Sequence, residues 1–339
     1  MEITRGGAAP RVTVVIPTFN GEKFLPGCLD ALARQRFVSF RVVVVDNGST
    51  DSSLAILAER YPAVSVILMG RNTGFAPAVN AGIRGSDTEL VALLNNDAEP
   101  SPEWLGELVS ALDADPGAGF CASKMVDSRD PRTIESAGDC YASNGRSLPR
   151  GFLERDIGQY DTPAEVFGAC AGAALYRRSL FDRVGLFDER LVSYKEDVDL
   201  DFRAWLAGIR CIYVPSAVCR HIGGATSGGR KSDLALRLGT RNGVILFFKN
   251  MPRPLLPRTL PRLLLDLSLQ FGHQALKGGR AIPLARGILG AAAMMPHALR
   301  ERRAIQGRAK PDIGRLRRLL REGDEEVRRH RARCRARGE

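Results

Sequence analysis

The chain has no Cys-x-x-Cys pair. Its seven cysteines (Cys28, Cys121, Cys140, Cys170, Cys211, Cys219 and Cys334) are scattered. That argues against a zinc ribbon or a disulfide framework and suits a reducing cytoplasm. No G-x-G-x-x-G follows the first apolar segment, which disfavours a nicotinamide dinucleotide fold, and there is no G-x-x-x-x-G-K-[ST] phosphate loop. No stretch offers about 20 clean apolar residues for a spanning helix. Residues 255–276 and 281–299 are apolar, but Arg258, Arg262, Asp266, Arg286 and several prolines interrupt them. They suit helices lying on a membrane surface or packing on a partner, and plain core helices nearly as well. Residues 1–10 are short and polar and show no signal-peptide pattern. No long internal repeat is visible.

What is present is enough apolar residue, 44% of 339, for a full core in one large or two modest domains. Of 49 Lys and Arg and 38 Asp and Glu, residues 221–339 hold 26 and 9, a net of +17 against −6 for the first 220. A surface this basic seeks phosphate, in nucleic acid or in anionic lipid, unless it is simply solvated. Nucleic acid is disfavoured, because the basic third lacks interleaved aromatics and any recognisable reading motif.

The first hundred residues alternate strand and helix patterns. Strands are predicted at 12–16, 40–45, 64–69 and 90–94, and helices at 22–34, 51–60 and 76–83. Apolar strands separated by helices mark a parallel sheet covered on both faces. A further helix is predicted at 103–115. Residues 127–165 are polar, rich in Gly and Pro and poorly periodic, so a loop-rich stretch able to cover a ligand is expected there. Residues 167–176 are small and apolar, 179–184 and 194–207 read as helices, and 211–214 reads as a strand. Beyond about 230 the pattern is helical and basic. Residues 315–339 look too charged to pack and are expected to be a frayed helix or disordered.

Four groups of residues could carry chemistry. Asp97 follows the strand 90–94 and Asn95-Asn96, at the strand end where open α/β sheets bind ligands. A carboxylate there suits a hard cation bridging phosphates, although a turn or helix cap would use the same residue. Asp46 ends the second strand, placed for a base N–H or a ribose hydroxyl, or for an Asx-turn. Glu196, Asp197, Asp199 and Asp201 lie within six residues, with Asp197 and Asp201 on one helical face. They fit either a solvated helix start or a general base beside an acceptor hydroxyl. His221 precedes a Gly-rich run, where it could ligate a metal, touch a phosphate or serve only as a structural residue.

In order, these segments resemble the family 2 glycosyltransferases, and within them the rhamnosyltransferase-like group. The matching residues are Val14–Asn20, Val45–Asp51, Arg71–Ala76 with Asn80–Gly82, Leu93–Asp97, Gly168–Leu175, Gly185–Glu189, Glu196–Leu200 and His221. The resemblance covers about residues 11–250. It implies an α/β GT-A fold, a doubly wound and mostly parallel sheet with a basic helical C-terminal extension. Residues 1–230 would form the catalytic domain, with a nucleotide-sugar half at about 11–110 and an acceptor half at about 111–230. Residues 231–339 would be the basic region on the membrane surface.

By the same resemblance, Thr18 and Asp46 would hold the pyrimidine base, with Arg71 beside them and Asn95 and Asn96 also on the nucleotide. Asp97 would bind a divalent cation, Mg2+ or Mn2+, with His221 as a second ligand or diphosphate contact. The family's D-x-D motif has an Asp where this chain has Asn95, a lost charge that weakens the expected metal affinity. Asp197 would be the general base of an inverting displacement, with Glu196 on the acceptor side. The implied partners are a dTDP- or UDP-type sugar donor, a glycan or lipid-linked acceptor and an anionic membrane surface, with no nucleic acid. The implied location is the inner face of the cell membrane, held peripherally from the cytoplasm. The implied reaction moves a sugar such as rhamnose onto a cell-envelope glycan. A non-catalytic relative that binds nucleotide-sugar or scaffolds a complex is the alternative.

Overall fold

The computed structural model describes residues 9–223, 232–309 and 311–336. The first part is β1 (Val12–Thr18), α1 (Leu25–Ala33), β2 (Phe40–Asp46), α2 (Ser53–Arg60), β3 (Ser65–Leu68), α3 (Phe75–Arg84) and β4 (Leu90–Leu94). All four strands are parallel and lie in the order β3-β2-β1-β4. The chain steps outward from β1 to β3 and then returns to the far side of β1. This reversal opens a crevice at the carboxyl ends of β1 and β4, where α/β sheets take ligands. Register puts Thr18 opposite Asp46 and Val15 opposite Leu93, so the three strand tips lie side by side.

The second part begins with β5 (Ala98–Pro100), α4 (Trp104–Ala114), β6 (Ala118–Asp127), β7 (Ile134–Ser136), β8 (Asp139–Tyr141) and β9 (Ser147–Pro149). It continues with β10 (Ala164–Val166), β11 (Ala173–Arg177), α5 (Arg178–Val184), α6 (Glu196–Leu206) and β12 (Arg210–His221). β11 runs antiparallel between β4 and β6, β12 runs parallel to β6, and the sheet reaches ten strands. β8 and β9 form a separate hairpin.

Both sheet faces are covered, which is why the strands read as unbroken apolar runs. Val14, Ile16 and Val44 pack under Leu29 of α1 and Trp104 and Leu108 of α4. The alternate residues Val15, Val43 and Val45 pack under Val79 and Ile83 of α3 and Leu200 of α6. The expected helices and strands up to residue 115 are therefore present, most with ends shifted by a few residues.

Four helices follow: α7 (Asp233–Asn250), α8 (Leu256–His273), α9 (Ala281–Arg308) and α10 (Ile313–Ala336). A third apolar cluster joins them to the sheet domain through Phe167, Phe202, Trp205, Phe247, Leu316 and Leu320. Among the described residues no helix is long and apolar enough to cross a membrane.

Two expectations are corrected. The charged stretch from residue 315 is a packed helix as far as Ala336. Leu316, Leu319, Leu320, Gly323 and Val327 form a buried stripe at helical spacing, and Arg315, Arg318 and Arg331 reach carboxylates elsewhere in the chain. The stretch 127–165 is not a free cover: every residue from 134 to 143 is buried, β7 to β9 fall within it and β10 begins at its end.

Candidate active site

The sheet reversal brings three strand ends together. Thr18 closes β1, Asn95-Asn96-Asp97 bridges β4 to β5, and His221 closes β12. Pairing of β12 with β5 sets His221 opposite Ala98, next to Asp97. Asn96 Nδ2 donates to Thr18 Oγ1 at 2.8 Å, tying the tips of β1 and β4 across the reversal. Gly21 is required at this joint. A Cβ there would stand 2.3 Å from Thr18 Oγ1 and 2.6 Å from Asn96 Nδ2.

His221 Nε2 lies 3.0 Å from Asp97 Oδ1 and 3.1 Å from the Asn95 amide nitrogen. On its other side Nδ1 faces both oxygens of Glu135, at 2.8 and 2.9 Å. All three charged groups are nearly buried. Burial alone would raise the Asp97 carboxyl, but the hydrogen bond and charge of His221 outweigh it and hold the group below its ordinary value. Burial would likewise lower the imidazole, yet Asp97 and Glu135 push it up to about 9.

These residues fit a divalent cation. Two ligands on one octahedral ion, each at about 2.1 Å, stand about 3 Å apart, which is the separation of Asp97 Oδ1 and His221 Nε2. Glu135 accepts the Nδ1 proton, as the usual outer partner of a ligating histidine does, so a cation that displaced the Nε2 proton would find that nitrogen's lone pair beside Asp97 Oδ1. Among the described residues no group of three or more His, Cys, Asp or Glu converges as a complete ligand set. A two-residue site that leaves the remaining positions to phosphate oxygens and water is how Mg2+-type ions are commonly held. The Gly-rich run after His221 lies, from Gly224 onward, outside the described residues.

Asp46 is buried at the tip of β2 and accepts the N–H groups of Gly48 and Ser49 at 3.1 and 3.2 Å. The turn that the sequence allowed is therefore formed. Gly48 has φ of +83°, and a Cβ there would stand 2.6 Å from the Cα of Arg71. This close approach lays the backbone of Arg71 beside the Asp46 turn, with the Arg71 side chain exposed.

Asp197 sits in the first turn of α6. Its oxygens accept the N–H of Val198 at 2.8 Å and of Ala171 at 3.4 Å. Burial pushes its carboxyl above the ordinary value despite these bonds. Burial and the Asp197 charge push Glu196 and Asp139 well up. Asp201 is fully buried, raised first by burial and then by Asp139 and Asp197. Asp199 is separate: it pairs with Arg203 at 2.9 Å and Lys249 at 3.0 Å and is held down at about 2. Burial alone would raise it, so the two cations outweigh that cost.

The four acids of α6 thus divide by environment, three raised and one anchored. Sequence reasoning did not find Glu135 or Asp139, which lie in short strands of the stretch read as loop. Nothing local distinguishes them. They reach the site only through the pairing of β7 with β6 and the bridge from Asp139 to Gly168.

Comparison with known proteins bears on the family and the fold. The signature described as Glycosyl transferase family 2 matches residues 13–185. The chain is 33% identical over 229 residues to the N-acetylglucosaminyl-diphospho-decaprenol L-rhamnosyltransferase of Mycobacterium tuberculosis (strain CDC 1551 / Oshkosh), a match covering 59% of this chain and 71% of that protein. Among solved structures, the fold resembles the mannosyltransferase PcManGT from Pyrobaculum calidifontis in complex with GDP-Man and Mn2+, with TM-score 0.52 and 21% identity, covering 89% of this chain and 85% of that one. It also resembles GalNAc-T7 with UDP, GalNAc and Mn2+, with TM-score 0.58 and 16% identity, covering 72% and 48%. These two carry the fold, which is GT-A, and the sequence matches carry the family. The chain is a glycosyltransferase and belongs to glycosyl transferase family 2.

Proposed function

We propose that the protein is an inverting transferase that moves a sugar from a nucleoside diphosphate donor to a hydroxyl of a cell-envelope or lipid-linked glycan. The observation that carries this reading is the placement of Asp97 and His221, backed by Glu135, at the sheet reversal, together with a carboxyl of raised affinity for protons at Asp197.

In this reading Thr18, Asp46 and Arg71 hold the base, and Asn95 and Asn96 contact the ribose and fix the strand tips. Asp97 and His221 hold a divalent cation, which supplies charge neutralisation to the leaving diphosphate. Asp197 accepts the proton of the acceptor hydroxyl as that oxygen attacks the anomeric carbon from the face opposite the diphosphate. One displacement inverts the configuration, and no enzyme nucleophile is needed. Burial raises the Asp197 carboxyl toward the pH at which a general base works best. Glu196, beside it, faces the acceptor.

The labour divides as residues 11–110 for the nucleotide, 111–230 for the acceptor and 231–339 for the membrane surface. Rhamnose from a dTDP donor is the sugar we favour, from the likeness to a rhamnosyltransferase. The relative's name also includes a diphosphate-linked lipid, and a lipid-linked acceptor places this enzyme peripherally on the inner face of the membrane. Exposed Leu264, Leu265, Leu269, Leu276 and Ile282 on and beside α8 and α9, among many arginines, suit that surface.

The test is a melting-temperature screen against UDP-, dTDP- and GDP-sugars with and without Mn2+ or Mg2+. A ligand that binds only the native state raises the melting temperature by mass action. We expect one nucleotide class to stabilise the protein only with metal, and Asp97→Ala to lose that shift. No shift with any nucleotide at millimolar concentration would favour a non-catalytic relative, a reading the Asn95 substitution keeps in view.

A further inference from the structure

A polar cavity is lined by Lys195, two residues before the candidate base. Its volume is about 500 Å3, and it sits between the turn joining β8 to β9 and helices α7 and α8. Lys195, Arg146 and Arg280 line it, together with one carboxylate, Asp266. That carboxylate is already met. It accepts from Asn144 at 3.1 Å, from Arg146 at 2.7 Å, from Gln270 at 2.7 Å and from Arg331 at 2.7 Å. Lys195 is not met: among the described residues it forms no ion pair. Arg280 gives Nε to Asp233 at 2.9 Å, and its Nη2 is buried with no hydrogen-bond partner among the described residues. Unmet donors of this kind in a roomy cavity await an acceptor group.

The position of Lys195 is costly. It directly precedes Glu196 and Asp197 and has φ of +68°, while Val192 and Tyr194 have φ of +66° and +72°. Left-handed backbone at three side-chain-bearing residues in four is strained and persists only when the surroundings enforce it. The enforcement comes from α7. Asn242, fully buried, donates to the carbonyls of Leu191, Ser193 and Tyr194 at 3.0, 3.0 and 2.7 Å. Gly243, one residue on, leaves room for the lysine. A Cβ there would stand 2.8 Å from Lys195 Nζ. Burial, and then the nearby Arg146, lower the ammonium to about 8, against the smaller opposing pull of the Asp266 and Asp197 carboxylates.

We propose that this cavity receives a phosphate or diphosphate group of the acceptor, with Lys195 as anchor and Arg146 and Arg280 beside it. The inference deepens the transferase reading and rests on it. Leu236, Val244, Leu263 and Leu267 also line the cavity, beside polar side chains such as Thr240 and Gln270. An anion with an apolar tail, the phosphate ester of a long-chain alcohol, matches a cavity whose wall carries both cations and aliphatic side chains. Seated there, the phosphate fixes the acceptor sugar relative to Asp197, two residues from the anchor. The device is positional, so removing it weakens acceptor binding and leaves the donor site intact.

The test is calorimetric titration of the full chain with geranyl diphosphate, inorganic pyrophosphate and geraniol, in EDTA so that no divalent ion contributes. We expect geranyl diphosphate to bind best, Lys195→Gln to weaken it at least tenfold and Arg280→Gln to weaken it severalfold. UDP affinity, measured separately with Mg2+, should stay unchanged in both variants. Undiminished geranyl diphosphate binding in Lys195→Gln overturns the proposal, as does geraniol binding equally well. Pyrophosphate binding as tightly as geranyl diphosphate overturns the assignment to a lipid-bearing acceptor. Should Lys195→Gln melt early, undiminished binding in Arg280→Gln has the same force. Lys195-dependent binding in a protein that binds no nucleotide would refute the donor-site reading and leave the anion site standing.

Discussion

At the scale of single residues, the site is built from groups whose neighbours decide their charge. Glu135 is the clearest case of a residue that the sequence hides. It lies in a three-residue strand with no motif around it, and its meaning comes from His221 Nδ1 at 2.8 Å. Outer partners of ligating histidines typically change metal affinity by 10- to 100-fold. We therefore expect Glu135→Gln to raise the Mn2+ concentration needed for nucleotide-dependent stabilisation by about 10-fold or more, read from melting temperatures across a Mn2+ series. An unchanged midpoint would remove Glu135 from the site.

Asp199 shows the opposite use of burial. Its folded carboxyl titrates at about 2, below the ordinary 3.8, because Lys249 and Arg203 outweigh desolvation. A lowered carboxylate contributes stability above the unfolded value, and that contribution is lost as pH falls from about 4 through 2. The shift is worth about 2 kcal/mol. The stability gap between wild type and Asp199→Asn should be widest above pH 4 and should narrow toward pH 2, measured by urea unfolding. A gap independent of pH would mean that the pair contributes through packing alone.

At the scale of elements, legibility followed periodicity. β1, β2, β4 and the helices between them were readable because each is buried on a face that its spacing declares. The positions of Asp46, Asp97 and Asp197 were readable because they sit at or beside the ends of such elements. α10 was misread because charge hid its pattern. Leu316, Leu319, Leu320, Gly323 and Val327 keep helical spacing, while arginines and acids fill most of the positions between and around them. The outward arginines find carboxylates far away in sequence, Arg315 and Arg318 at Glu165 and Arg331 at Asp266. Sequence cannot show those partners, so the helix looked unsupported. It lies close to the hairpin at Gly323, where a Cβ would stand 2.3 Å from the carbonyl oxygen of Tyr141. Gly323→Ala should cost about 1–3 kcal/mol by overpacking, seen as a lower urea midpoint. Full stability in this variant would show that α10 is not seated on the β8–β9 hairpin.

At the scale of the whole molecule, two halves of opposite charge meet around one crevice. The acidic first 220 residues supply the sheet reversal and the carboxylates. The basic remainder packs α7 against the loop that precedes Asp197 and leaves aliphatic side chains exposed on α8 and α9. The charge asymmetry was legible in the sequence, but its consequence was not, because the clamp by Asn242 joins residues about fifty apart.

The central claim, transfer with Asp197 as base, is tested most directly by sugar transfer from the donor that the melting screen selects, in wild type and Asp197→Asn. Donor affinity should be measured on the same samples. The account predicts that the variant binds donor as wild type does and loses about 10³-fold in turnover, within the usual range for removing a general base. Turnover within a few-fold of wild type would contradict it and move the base to another of the raised carboxyls around Asp139 and Asp201.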